Sequence, residues 1–169
     1  SWKDSYSSSE LNYNISENIK VPKFGCFTDQ RIEKIIDRKI TINKIWSIGG
    51  TQGWYYANWL WKIRGFLDTI SGGVGLRRGR TNISEISVGD SLDFWRVIYA
   101  NKKEGRLLLF AEMKLPGEAW LEFKIVGDEL VQTATFRPLG IVGRLYWYLV
   151  YPLHEIIFLG LIRKITNNK

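Results

Sequence analysis

Acidic side chains on predicted strands are the residues of this chain best suited to acid–base chemistry. Glu112 interrupts an otherwise apolar strand over 107–113, and Asp93 falls on an earlier strand. A carboxylate that faces an apolar interior needs a partner or has a raised pKa, and a raised pKa suits a general acid or base. Two interpretations follow. A structural ion pair between Glu112 and Arg96 is favoured, and the alternative is a cyclase- or hydratase-type enzyme that uses Glu112 or Asp93 as its base.

Three arginines, Arg77, Arg78 and Arg80, follow the glycine-rich run 72–75. Guanidinium groups bind phosphate or carboxylate through paired N–H donors, so these arginines are a candidate anion site. The alternatives are a solvated loop, or pairing with acids such as Asp90 and Asp93. The glycines match neither the dinucleotide-binding pattern nor the Walker pattern, and turns explain them better.

Few other residues could carry out chemistry. His154 is the single histidine, and it falls in an apolar predicted helix, where a structural role is expected. Cys26 is the single cysteine, and no histidine is identifiable as its partner in nucleophilic catalysis. One histidine and one cysteine are too few for the usual zinc ligand sets, so no metal site is predicted.

Tryptophans are concentrated early in the chain, where half of the eight lie between Trp46 and Trp61. Indole rings are large, rigid and polar at one edge, so they suit the wall of a cavity or an interface. Most of the aromatic side chains fall at helix or strand positions that suit a core. Nucleic-acid binding is therefore not predicted, despite the net charge of +7.

The first half of the chain predicts short elements that would position these side chains. A weak strand is expected over 30–36. Thr41 or Asn43 would cap a short helix that ends near Ile48, where two glycines follow. A second helix is expected over 54–70, because the apolar residues there recur at helical spacing.

Strands with alternating apolar and polar side chains are predicted next. In the first of them, Leu92, Phe94 and Ile98 would share one face, opposite Asp93, Trp95, Val97 and Tyr99. Further strands are expected over 107–113, 119–125 and 130–136. Short turns such as Gly127-Asp128 join them, which predicts an antiparallel meander.

A long apolar helix over 141–165, interrupted by Pro152, is predicted to close the chain. Its length would also suit a membrane span, but Arg144, His154 and Glu155 would be costly in lipid. A helix buried in the grip of a sheet explains the same composition. The fold class is therefore α+β, with a sheet wrapped around the last helix, and a peripheral membrane contact remains an alternative.

The chain of 169 residues is long enough for a single core of ordinary size. Residues 1–28 are rich in Ser and Asn and are expected to be a linker or arm, which leaves 29–169 as the domain. A single cysteine and the lack of a secretory leader in the given sequence predict a cytoplasmic protein.

Several joined motifs resemble a known family. They are GWYYANWLW (53–61), GGVGLRRGR (72–80), DFWRV (93–97), MKLPGEAWL (113–121), TATFRP (133–138) and GRLYWY (143–148). In this order they resemble a domain-of-unknown-function family that follows the NAD(P)-binding Rossmann domain of atypical short-chain dehydrogenase-like proteins. That family is similar to the START-like, polyketide-cyclase-like helix-grip superfamily.

The resemblance implies a curved antiparallel sheet around a long C-terminal helix, with a cavity between them for a small apolar ligand. It implies no cofactor in this domain, and NAD(P) only in the preceding Rossmann domain, which would be its partner. On this basis the domain is expected to be a non-catalytic ligand-binding domain. The alternative is an interaction module that covers the Rossmann domain through its aromatic cluster. The predicted ligand-binding residues are Trp54, Tyr55, Trp59, Trp95, Arg96, Glu112, Trp120 and Tyr148.

Overall fold

The structure is a computed structural model that describes residues 20–49, 53–70, 72, 80 and 85–166, without the side chains of residues 67 and 68. These residues form six strands and three helices. In chain order they are β1 (Phe27–Lys34), α1 (Arg38–Trp46), α2 (Asn58–Ile70), β2 (Ser91–Leu92), β3 (Trp95–Asn101), β4 (Arg106–Ala111), β5 (Gly117–Val126), β6 (Glu129–Pro138) and α3 (Gly140–Thr166).

The six strands form one antiparallel sheet in the order β1-β6-β5-β4-β3-β2. β2 to β6 are a meander, whereas β1 crosses the fold to pair with β6. The turn between β5 and β6 contains two residues, and Gly127 at its first position has a φ of 59°, which a side chain would disfavour. The prediction of an α+β helix-grip fold is confirmed.

The face of the sheet toward α3, called here the inner face, carries most of the core. Alternation places Leu121, Phe123 and Ile125 of β5 on this face, and they pack in one cluster with buried residues of the helices. The other face, called the outer face, carries Glu118, Trp120, Glu122 and Lys124 of the same strand. This division of β5 agrees with its sequence pattern.

The hairpin of β2 and β3 differs from its sequence prediction. Leu92 pairs with Trp95, so Asp93 and Phe94 form a two-residue turn instead of continuing a strand. Asp93 has a φ of 56°, a conformation that aspartate tolerates better than most side chains. The pairing of β3 with β4 also shifts at Ile98. Trp95 and Val97 follow the turn and lie on the inner face, and the bulge interrupts the alternation only after them.

Helix α1 begins earlier than predicted. The N-cap is Asp37, whose carboxylate accepts a hydrogen bond from the backbone N–H of Ile40 at 2.8 Å. Thr41 lies inside the helix, where its hydroxyl donates to the carbonyl of Asp37 at 2.8 Å. Aspartate is one of the strongest N-cap residues, and it outranks threonine at that position.

Helix α3 runs through Pro152 and packs on β1 and β6, but less of it is buried than the sequence predicted. By length and composition it could cross a membrane, and 28% of its most apolar window is buried. Its buried residues cluster near both ends, for example Trp147 and Ile162. Apolar side chains in the middle of α3, such as Leu149 and Ile156, are exposed and lie outside the cavity lining, which accounts for the shortfall.

A close contact fixes the position of α3 beside the segment before α2. The backbone of Gly160 lies against the ring of Tyr56, so that a Cβ atom at this position would overlap the ring. Trp61 of α2 also packs edge-on against Phe158 of α3, with ring centroids 6.1 Å apart. These contacts hold α2 and α3 on the same side of the sheet.

Candidate functional site

A cavity of about 150 Å³ lies between the inner face of the sheet, α2 and α3, and it is partly open to the surface. Its lining is mostly aliphatic and aromatic, which is typical of pockets for small apolar molecules. The residues that line it are Leu60, Trp61, Arg64, Trp95, Met113, Leu115, Ala119, Trp120, Ala134, Thr135, Phe136, Tyr146, Trp147, Val150, Leu153, His154, Ile157 and Phe158.

One wall of the cavity is a row of rings on α3. Trp147, His154 and Phe158 follow one another at helical spacing, and the His154 ring lies 5.2 Å from Trp147 and 4.0 Å from Phe158, between ring centroids. Trp147 also stacks on Phe27 of β1, with centroids 5.3 Å apart. The wall is therefore rigid and tied to the edge of the sheet.

His154 also contacts a buried charged pair. Its Nδ1 lies 3.5 Å from Oδ2 of Asp29, and the same oxygen accepts from the guanidinium of Arg31 at 3.1 Å. Burial raises the pKa of Asp29, but the nearby imidazole of His154 and the hydrogen-bonded guanidinium of Arg31 outweigh burial and hold the pKa below its usual value. The carboxylate is ionised and orients the imidazole at the cavity wall.

Four cavity residues carry a buried nitrogen with no hydrogen-bond partner among the described residues: Nε1 of Trp61, Nε1 of Trp95, Nη2 of Arg64 and Nδ1 of His154, the last of which has the Asp29 carboxylate 3.5 Å away. Such an atom costs about 1–3 kcal/mol when it is left without an acceptor. The guanidinium of Arg64 lies over the ring of Tyr146, 5.8 Å from its centroid. Burial raises the pKa of Tyr146, and the charge of Arg64 opposes that shift.

Of the predicted ligand-binding residues, Trp95 and Trp120 border the cavity. Trp120 belongs to the outer-face set of β5, and it lies opposite Phe110 in the register. Its ring contacts Phe110, with centroids 5.5 Å apart, and the guanidinium of Arg137 at 5.9 Å. Trp120 therefore counts among the lining residues although its ring contacts outer-face residues.

The predicted residues from the tryptophan cluster and from α3 lie outside the cavity lining. Trp54 is buried in the core, where it stacks on Trp61 with centroids 4.7 Å apart. The hydroxyl of Tyr55 donates to the carbonyl of Lys44 at 2.9 Å. Trp59 and Tyr148 are exposed, at 63% and 66%.

Arg96 and Glu112, the predicted polar anchors, form a bidentate ion pair on the outer face of the sheet. Nε of Arg96 donates to Oε1 of Glu112 at 2.8 Å, and Nη2 donates to Oε2 at 3.0 Å. Neither side chain lines the cavity. The favoured interpretation of Glu112 as half of an ion pair agrees with this geometry.

Asp93, the other predicted base, accepts a hydrogen bond from Nε1 of Trp54 at 2.9 Å. Burial raises the pKa of Asp93, and the hydrogen bond from Trp54 opposes the shift. The side chain lies in the β2–β3 turn and does not line the cavity. Its visible role is to hold the tryptophan cluster against this turn.

The predicted anion site falls mostly outside the described residues, since Arg77 and Arg78 are not among them. Arg80 is described, and it donates to the carbonyl of Trp46 at 2.7 Å. A cation at the C-terminus of α1 interacts favourably with the exposed carbonyl groups there. Burial lowers the pKa of Arg80.

Sequence reasoning missed most of the wall that α2 and α3 contribute. No role was predicted for Arg64, and Tyr146 and Trp147 enter the sequence analysis only as part of the family motif at 143–148. A polar residue such as Arg64 among apolar residues of α2 was the available signal. His154 was expected to be structural, and its contacts with Asp29 fit that role, although it also lines the cavity.

The described residues contain no group of three or more His, Cys, Asp or Glu side chains that could hold a metal ion. The polar side chains of the described residues that line the cavity are one guanidinium, indole N–H groups, the hydroxyls of Tyr146 and Thr135, and one imidazole. This set can orient a ligand by hydrogen bonds and charge.

Comparison with known proteins places the chain in a family without giving its activity. A crystal structure of Ara h 8.0201 is similar at 8% identity, covering 83% of this chain and 98% of that chain, with a TM-score of 0.38. A likeness this loose adds nothing to the fold assigned from the topology. Among curated proteins, none matches significantly. The family model described as "Protein of unknown function (DUF2867)" matches residues 26–161, and the chain therefore belongs to the DUF2867 family.

Proposed function

We propose that this domain binds a small apolar ligand in the cavity between the sheet, α2 and α3. The observation that supports the proposal is the lining, in which aromatic and aliphatic side chains surround a space of about 150 Å³. An engineered cavity of about this volume in another protein stays dry and binds benzene or xenon. The ligand group that enters would be about the size of one ring.

We propose a binding role instead of catalysis, because the two carboxylates first considered as bases are held elsewhere. Glu112 is paired with Arg96 on the outer face, and Asp93 is bonded to Trp54 in a turn. A cyclase- or hydratase-type reaction would need a different base. The domain would instead retain a ligand by apolar contact, and its polar groups would orient that ligand.

The proposal is tested by filling the cavity from α3. Val150 lines the cavity, and Val150→Phe would place a ring in the space that a ligand needs. The matched control is Leu149→Phe, because Leu149 is the next residue and is 81% exposed.

Toluene binding, followed by NMR titration, is the measurement. Val150→Phe should weaken toluene binding by at least about tenfold, while the toluene affinity of Leu149→Phe should stay within about twofold of that of the unsubstituted domain. Equal toluene affinity in both variants, or no binding by the parent domain at the solubility limit of toluene, would contradict the proposal.

We further propose that the domain serves an NAD(P)-binding, short-chain-dehydrogenase-like domain of the same parent chain, in the cytoplasm. NAD(P) would bind in that partner. The supporting observation is an exposed apolar stripe on α2, formed by Trp59, Ile63, Phe66 and Ile70. Residues at this spacing share one side of a helix, and exposed apolar patches of this kind mark interaction surfaces.

Hydrogen exchange of α2 tests the partner proposal. Amides of residues 58–70 should exchange more slowly in the parent chain than in the isolated domain, because the partner covers them. Phe66→Ser should abolish this protection, whereas Val126→Ser, at an exposed apolar residue at the end of β5, should not.

Identical exchange of α2 in the two proteins would contradict a covering partner. Protection by phospholipid vesicles instead would identify the stripe as a membrane contact. Fractionation of cells that express the parent chain tests the cytoplasmic location.

A further inference from the structure

Three of the unpartnered polar atoms at the cavity wall are hydrogen-bond donors that belong to tryptophan and arginine side chains. Nε1 of Trp61, Nε1 of Trp95 and Nη2 of Arg64 all donate hydrogen bonds, and none has an acceptor in the described part of the chain. The two indole side chains are more than nine-tenths buried, at 7% and 4% exposure. All three residues line the same cavity. A ligand group that reached these atoms would supply the acceptor that the described part of the chain lacks.

The charge at the cavity points to an anion. Arg64 is the one arginine or lysine in the described cavity lining, and its guanidinium lies over the ring of Tyr146 and interacts with the Tyr146 hydroxyl. The described lining includes no aspartate or glutamate. The carboxylate of Asp29 is bonded to Arg31 and His154 instead. The guanidinium thus lies at an apolar, partly open space with no acidic neighbour on the described wall, and its buried Nη2 atom has no acceptor there.

We propose that the ligand is a small apolar carboxylic acid, bound as its carboxylate. The carboxylate would accept from Arg64 and from the indole N–H groups of Trp61 and Trp95, and the apolar part would occupy the rest of the cavity. A carboxylate has two oxygens and one charge, which suits one guanidinium supplemented by neutral donors. This inference rests on the proposed ligand-binding function and adds the chemical class of the ligand to it.

The first test compares three probes that share one ring: phenylacetate, toluene and 2-phenylethylamine. In NMR titrations of the domain at neutral pH, phenylacetate should bind at least about tenfold more tightly than toluene, and the amine most weakly. Toluene binding without any preference for phenylacetate overturns this inference and leaves the proposed function standing. Binding of none of the three probes overturns the proposed function as well.

The second test removes the cation. Arg64→Met keeps an apolar side chain of similar length, and it should lower phenylacetate affinity by at least about tenfold while toluene affinity stays within about twofold. The matched control is Arg144→Met, because Arg144 is an exposed arginine on α3 outside the cavity lining. Equal phenylacetate affinity in the two variants contradicts the proposal.

The third test reads the indole donors directly and remains available if Arg64→Met fails to fold. In the ¹H–¹⁵N spectrum, phenylacetate should shift the Nε1–H signals of Trp61 and Trp95 downfield, and toluene should not. Trp61→Phe and Trp95→Phe identify these signals. Each substitution should lower phenylacetate affinity a few-fold, of the order expected for one hydrogen bond. The exposed Trp59 is the internal control. Unmoved Trp61 and Trp95 signals in a phenylacetate-saturated domain overturn the proposed contacts.

Discussion

On the outer face of the sheet, arginine and glutamate side chains from neighbouring strands bond to each other, whereas the donors on the cavity side have no described partner. Arg96 pairs with Glu112 at 2.8 Å, and Arg106 pairs with Glu122 at 2.7 Å. In both cases the glutamate lies two residues from the position directly opposite the arginine, a diagonal within reach of long side chains. The outer face is thus satisfied within the chain.

The cavity side differs from the outer face because packing holds its polar groups in fixed positions. Trp61 is held between Trp54, Phe94 and Phe158 by ring contacts, so the position of its N–H edge is set by the core. Flexible charged side chains on the outer face can adopt conformations in which they pair, but a packed indole ring cannot rotate toward an acceptor. The difference indicates that unsatisfied donors in a rigid wall are a better sign of a ligand site than paired charges.

The largest effect should come from removing an inner-face ring. Phe123 of β5 is fully buried, and Phe123→Ala should lower the free energy of unfolding by about 3–5 kcal/mol. Phe110→Ala removes the same ring from the half-buried outer face and should cost about 1 kcal/mol. Urea unfolding of both variants measures the difference. Similar losses would mean that the two faces are not energetically distinct.

A smaller effect is expected at the buried charges beside α3. Asp29→Asn should lower the free energy of unfolding by about 2 kcal/mol at neutral pH, because a hydrogen-bonded carboxylate is lost. Gln30→Ala on the same strand is the control, since Gln30 is exposed. Equal stability of Asp29→Asn and the parent domain would contradict a stabilising role for this cluster.

The same cluster predicts a pH dependence with a definite sign. The pKa of Asp29 is lower in the folded state than its usual value. Its contribution is therefore fully present above that usual value and is lost as the pH falls through the lowered one. Urea unfolding of the parent domain and of Asp29→Asn between neutral and acidic pH should show the difference shrinking toward acid. A difference that grows toward acid would have the wrong sign.

The smallest effect should come from breaking an outer-face pair. Glu112→Gln should cost less than about 1 kcal/mol, because the pair with Arg96 is partly exposed and screened by solvent. Added salt should reduce the cost further. Toluene and phenylacetate affinities should not change, since Glu112 does not line the cavity. Loss of ligand binding in this variant would show that Glu112 contributes to the ligand site.

The fold was largely predictable from the sequence because alternation and turn residues decide it locally. The two-residue turn after β5 and the apolar pattern of α3 were recognised correctly. The β2–β3 hairpin was not, because Asp93 adopts a left-handed conformation in a turn that carries no glycine. Ile98 then shifts the register, and one extra residue moves every later side chain to the opposite face.

The candidate site was harder to predict because it depends on contacts between distant parts of the chain. Glu112 and Arg96 were recognised as a possible pair, but which face they occupy depends on the register of β3 and β4. Trp59 looked equivalent to Trp61 in the sequence, although one is exposed and the other is buried at the cavity. Two residues apart on a helix, they point to different sides, and only the placement of α2 decides which side is covered.

The central claim is that the space between the sheet, α2 and α3 is a real apolar binding cavity, and crystals of the domain pressurised with xenon test it most directly. Xenon enters apolar cavities of about 150 Å³ without needing polar contacts. The account predicts a xenon site lined by residues such as Trp61, Val150 and Ile157, and loss of that site in Val150→Phe. Crystals that bind xenon elsewhere and leave this space without it would contradict the account.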